Sequence, residues 1–231
     1  IMKIYAKKPE QETDILTFGK PEELIEKDIE NGISRFGGSM RQPSYAFAYL
    51  KSARVLLDNA IATRQLDEFG LPIFYMVRHS IELKIKDLLG LAYDVFKMKH
   101  ELFNNQVTLT NLPSKGQFDR LERKHNIQSL YADLLGSCNK LEINVPELLF
   151  KNVIDAIHHY EVTPTWSRYI KSDRGLHVAK EIELPIVKLV EDLEVLFKAV
   201  SYDTNGYQET VSSELYHEFN HLMSRIEDEK C

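Results

Sequence analysis

Along most of the chain, apolar residues return every three or four positions, and proline, glycine and short polar runs separate one such stretch from the next. The pattern is fullest over Pro72 to Gly90, PIFYMVRHSIELKIKDLLG, where Phe74, Val77, Ile81, Ile85, Leu88 and Leu89 fall on one side of a helix. Ahead of it, Ala46, Tyr49, Leu50, Ala53, Leu57, Ala60 and Ile61 predict a long helix opened by Pro43-Ser44 and running to about Arg64. Glu68-Phe-Gly-Leu-Pro reads as the turn between the two, which makes them an antiparallel hairpin. A restart after Gly90 carries helix on through Leu91 to Phe103.

The same template recurs downstream. It predicts a helix from Asn126 that Gly136 ends, one opened by Pro146 and reaching Tyr160, one over Glu183 to Val200, and a last one over Ser212 to Glu229. Near the start, Pro21 to Ile33 carries acids in its first turn and apolar residues at Leu24, Ile25, Ile29 and Ile33, a short helix ending near Gly32. Residues 104 to 118 and Thr163 to Gly175 lose the period and read as loops, the second holding the only tryptophan, Trp166. Val107 to Thr110 is the best strand candidate, and it is isolated. The expectation is therefore an all-α bundle: an N-terminal arm and short helix over 1–43, a helical bundle over 44–200, and a C-terminal acidic helix over 201–231 packed on the same domain.

Composition narrows the class. With 43% hydrophobic and 28% charged residues in 231, the chain is an ordinary globular protein with material for a sizeable core. Its longest apolar runs, such as Ile73 to Val77, fall far short of the roughly 18 to 20 residues of a membrane span. Two cysteines, Cys138 and Cys231, make neither a disulfide framework nor a metal cluster; with no signal-peptide pattern at the start, a reducing cytoplasm is expected. The net charge of −6 is uneven: Arg41 to His125 holds 13 Lys and Arg against 9 Asp and Glu, and Glu181 to Cys231 holds 4 against 12. That asymmetry fits a polyanion docked on one side only, head-to-tail self-pairing, or, the plainest reading, a solvated acidic surface on the last helices.

The chemistry-bearing row is on the fullest helix. Arg78, Glu82 and Lys86 stand four apart and stack on one face, with His79 beside them. Because Arg78 and His79 follow a deeply apolar run, each needs an anionic partner, either a ligand or Glu82 itself. A second group is the polar run Arg120-Leu-Glu-Arg-Lys-His125, in which Arg and His are separated by four residues. A third is His217-Glu218-Phe-Asn-His221, whose spacing sets two histidines on one helical face, as in zinc hydrolases. Only ten residues follow His221, which leaves little chain for a third ligand.

The run Tyr75-Met-Val-Arg78-His79-Ser-Ile-Glu82-Leu-Lys84-Ile-Lys86-Asp-Leu-Leu89, followed after a loop by His125-Asn-Ile-Gln-Ser-Leu130, resembles the signature helix pair of HEPN-type domains. Ser167-Arg168-Tyr169 is similar to a further Arg-Tyr segment of that family. The resemblance implies an antiparallel helical bundle that dimerises and acts on or binds RNA within prokaryotic toxin or antiphage systems, often as a ribonuclease without a metal or other cofactor. It implies catalytic roles for Arg78, His79, Glu82 and His125, and phosphate or RNA contacts for Arg120, Arg168 and Tyr169. In such chemistry an imidazole handles the 2′-hydroxyl or leaving-group proton while a guanidinium offsets the charge building on the phosphoryl group. Two other readings stand beside it: a non-catalytic module that dimerises or binds a partner protein, and a zinc hydrolase using His217, Glu218 and His221.

Overall fold

A computed structural model describes residues 22–34, 44–102, 120–121, 123–161, 171–172, 175–176, 181–201 and 209–228. Its helices are α1 (Glu22–Glu30), α2 (Tyr45–Thr63), α3 (Leu66–Leu102), α4 (Ile127–Lys140), α5 (Glu147–Tyr160), α6 (Ile186–Val200) and α7 (Val211–Asp228). Besides these, the described residues hold one antiparallel ladder of two-residue strands, β1 (Lys171–Ser172) and β2 (Gly175–Leu176), pairing Lys171 with Leu176 and Ser172 with Gly175. The fold is all-α. The strand candidate at Val107 to Thr110 lies outside the described residues.

The shaft of the bundle is α3. At 1.5 Å per residue its 37 residues span roughly 55 Å, and α2, α4, α6 and α7 all pack against it. The predicted break at Glu68 to Pro72 and the restart after Gly90 are both absent: Gly70, Pro72 and Gly90 all lie within one continuous helix. Pro72 sits near the helix start with its ring exposed, so it forfeits one hydrogen bond to Glu68 without a steric conflict in the core. The real turn is shorter and earlier. Arg64 takes the left-handed conformation at φ 59°, and its N–H and that of Gln65 close back onto Ile61 and Ala60. A hairpin of α2 and α3 is thus the predicted pairing with a different hinge.

In the same way Gly136 does not end α4; the helix continues to Lys140, and Glu142 takes the left-handed position at φ 59° while the Ile143 N–H bonds Cys138 O at 2.9 Å. Asn126 caps its start by accepting from the Ser129 N–H at 2.8 Å. The core that results joins Leu50, Ala53 and Leu57 of α2, Phe74, Val77, Ile81, Ile85 and Leu89 of α3, Leu130 and Leu134 of α4, Phe150 and Val153 of α5, Leu193 and Phe197 of α6, and Val211 and Leu215 of α7. A smaller cluster, Val95, Leu102, Leu222 and Ile226, holds the far end of α3 to the far end of α7. Polar ties add to this packing: Ser80 Oγ of α3 donates to Ala46 O of α2 at 2.7 Å, and Arg54 of α2 grips Glu194 of α6 through Nε and Nη2 at 2.8 and 2.6 Å. The helix α1 forms as predicted, but its Ile29 is 74% exposed and Asp28 is its buried residue.

Candidate functional site

Three segments meet at the row predicted on α3. Arg78 is 4% exposed, and its guanidinium donates through Nη1 to Glu82 Oε2 at 2.6 Å, through Nε to Glu161 Oε1 at 2.6 Å, and through Nη2 to His125 O at 2.7 Å. Glu161 directly follows α5, and His125 directly precedes the capping Asn126 of α4. One buried cation therefore ties α3 to the end of α5 and the beginning of α4.

Glu82, 2% exposed, is the second hub. Its Oε2 faces Arg78, and its Oε1 receives Lys86 Nζ at 2.8 Å and faces His125 Nδ1 at 2.9 Å. Burial alone would push this carboxyl up, but hydrogen bonds from Lys86, His125 and Arg78 outweigh it and hold Glu82 below the ordinary carboxylate range. On Arg78 burial likewise opposes charge, and the pairing with Glu161 and Glu82 overcomes it, so the guanidinium stays ionised. Two cations, Arg78 and Lys86, thus balance two carboxylates, Glu82 and Glu161, so that within this cluster each charge has an opposite partner.

That arrangement fixes the histidine. An ionised carboxylate only accepts, so Nδ1 of His125 must carry the proton it gives to Glu82. In the neutral ring the lone pair is then on Nε2, and the His125 side chain is 60% exposed. The result is a largely exposed imidazole anchored at Nδ1 by a buried anion. Just ahead of it, the Arg123 N–H bonds Arg120 O at 3.1 Å and the Lys124 N–H bonds Leu121 O at 3.2 Å, tight turns that bring each back onto the residue three before it. Arg120 and Arg123 are exposed on these turns, whereas Lys124 is engaged by Asp133.

The predicted residues divide accordingly. Arg78, Glu82 and His125 converge, with Arg120 one turn ahead of the histidine. His79 goes elsewhere: about 100° round the helix from Arg78, its ring stacks on Tyr75 at 5.6 Å and meets the edge of Tyr49 on α2 at 4.5 Å. Arg78 has internal partners where the sequence left room for a phosphate. Arg168 and Tyr169 lie outside the described residues. On α7, His217 and His221 are exposed, Glu218 is paired with Lys99 at 2.7 Å, and among the described residues no group of three His, Cys, Asp or Glu is placed to hold a metal ion.

Sequence reasoning missed Glu161, which is 83 positions from its partner and carries no local signal. It also passed over Lys84, 8% exposed, whose Nζ lies 3.3 Å from Ser212 Oγ and about 6 Å from the ring centres of Phe47 and Phe197. Burial pushes this ammonium down to about 8, against an opposing pull from Asp87. Cys138 is no nucleophile: burial, aided by Glu214, pushes its thiol up to about 12. No helix among the described residues is long and apolar enough to cross a membrane. No family model, no curated protein and no solved structure matches the chain.

Proposed function

We propose that this chain is a HEPN-like endoribonuclease that needs no metal, with His125 as its proton-transferring group. The observation that carries the reading is the Glu82 to His125 contact of 2.9 Å, which fixes the tautomer with the lone pair on Nε2 in a side chain that is 60% exposed. In the reaction, Nε2 takes the proton of an RNA 2′-hydroxyl as that oxygen bonds to phosphorus. The bond from phosphorus to the 5′-oxygen breaks, a water protonates that oxygen, and the imidazolium returns its proton to the resulting hydroxide, leaving a 2′,3′-cyclic phosphate and a 5′-hydroxyl end. Arg120 holds the non-bridging oxygens through its planar fork. Glu82 positions the imidazole and offsets its positive charge after proton transfer, while Arg78 acts through Glu82 and the His125 carbonyl.

The test is incubation of purified protein with mixed cellular RNA in EDTA. His125→Ala is expected to lower cleavage by about 100-fold or more, the usual loss for a general base, and Arg120→Ala to lower it less. His79→Ala keeps its activity, because that ring packs between Tyr49 and Tyr75. Equal cleavage by wild type and His125→Ala would end the proposal.

One observation favours a second reading, a partner-binding or dimerising module. An apolar groove lined by Ala48, Ser52, Val55 and Leu56 of α2 and Met76 of α3 opens on the outside of the bundle, with Val55 62% exposed. A protein that cuts no RNA but self-associates, and loses that association on Val55→Glu, is the module.

A further inference from the structure

We propose that His125 Nε2 is also a phosphoryl acceptor, forming an Nε2-phosphohistidine with small phosphoramidate-type donors. This goes beyond the ribonuclease reading and stands apart from it: cleavage uses the Nε2 lone pair as a base, acceptance uses it as a nucleophile.

Four features support it. The ring is held at Nδ1 by a buried carboxylate, which raises electron density at Nε2 and fixes the direction in which the lone pair points. The ring is 60% exposed, so a tetrahedral phosphoryl group can approach without displacing packed atoms. Exposed Arg120 and Arg123 stand on the turn just before it and add positive charge next to the histidine, which favours an anionic phosphoryl donor. Finally, His125 directly precedes the capped N-terminus of α4, where the helix dipole favours a negative group, and the Asn126 side chain takes up only the Ser129 N–H.

The step balances. The Nε2 lone pair forms the nitrogen–phosphorus bond, and the phosphorus–nitrogen bond of zwitterionic phosphoramidate breaks with its electron pair leaving on ammonia. The Nδ1 proton stays in its hydrogen bond to Glu82. The phosphorylated ring is then cationic, and the Glu82 carboxylate compensates it in place, which is what an isolated surface histidine lacks.

The experiment treats the full-length protein with phosphoramidate at neutral pH and maps adducts by mass spectrometry under alkaline conditions, with His217 and His221 as exposed internal standards on α7. His125 is expected to be modified at least about tenfold faster than either, and Glu82→Gln to bring its rate down to theirs without changing them. The adduct is acid-labile and survives base. Modification of His125 no faster than of His217 and His221 overturns the proposal. Should Glu82→Gln fail to fold by circular dichroism, the wild-type rate ratio decides alone. RNA cleavage is scored separately, so loss of one activity leaves the other standing.

Discussion

At the scale of single residues, the decisive object is one buried guanidinium with two carboxylates and a carbonyl around it. Arg78→Met removes the cation and leaves Glu82 and Glu161 largely buried with half their compensation gone. Breaking a buried pair from one side costs about 3 to 5 kcal/mol, so urea unfolding is expected to show a large fall in midpoint. Pairing Arg78→Met with Glu161→Gln in a double-mutant cycle should return part of that loss, because the second change removes a charge the first has orphaned. Purely additive losses would mean that the two groups do not share a network. The sequence made half of this cluster legible. Arg78, Glu82 and Lys86 could be read together because a helix stacks positions four apart. Glu161 and the His125 carbonyl could not, because their proximity to Arg78 exists only after α4 and α5 have docked. That difference bears on Arg78: its donors are engaged inside the protein, whereas Arg120 and Arg123 are exposed.

At the scale of elements, periodicity identified each long helix and missed several ends, and the misses share a cause. Arg64 and Glu142 stand in left-handed turns that glycine usually marks, while Gly70, Gly90 and Gly136 sit inside helices. Tertiary burial of α3 outweighs the local preference of Pro72 and its neighbouring glycine for a turn. Burial also sets the contact between α3 and α7. Lys84 lies beside Ser212 in the first turn of α7, the positive end of that helix and a poor place for a cation. Its amine is near 8 in the folded protein against an unfolded value of 10.5. Between those values the unfolded chain binds a proton that the folded protein does not, so raising the pH stabilises the fold. At neutral pH the lysine is charged in both states and its full penalty, of order 3 kcal/mol, is present. Wild-type stability minus that of Lys84→Met is therefore expected to climb as the pH goes from about 8 to about 10.5. Guanidinium titrations at several pH values check this. A flat difference would show that Lys84 reaches water in the folded state.

At the scale of the whole molecule, the shaft α3 is covered unevenly along its length, and stability should follow that gradient. From Ile73 to Phe96 most of its buried apolar residues belong to the main core, to which the helix carrying Arg78 and Glu82 and the helix that follows His125 both contribute. Beyond Phe96 its buried apolar residue is Leu102, which with Val95 joins Leu222 and Ile226 in the smaller cluster. Local opening costs least where few apolar contacts must be broken. Hydrogen exchange is thus expected to be slowest in the Ile73 to Ala92 stretch and faster in Lys97 to Leu102 and in Arg225 to Asp228. Substitutions should separate the two regions. Leu215→Ala empties part of the main core and costs about 2 to 5 kcal/mol, and it should speed exchange throughout the bundle. Ile226→Ala, at a site 7% exposed in the smaller cluster, should cost less and raise exchange only at the far ends of α3 and α7. Because the His125 to Glu82 contact belongs to the enclosed half, any RNA cleavage is expected to survive Ile226→Ala unchanged at temperatures below melting. Equal global destabilisation by the two substitutions, with uniform exchange along α3, would instead make the bundle a single cooperative unit with no weaker end.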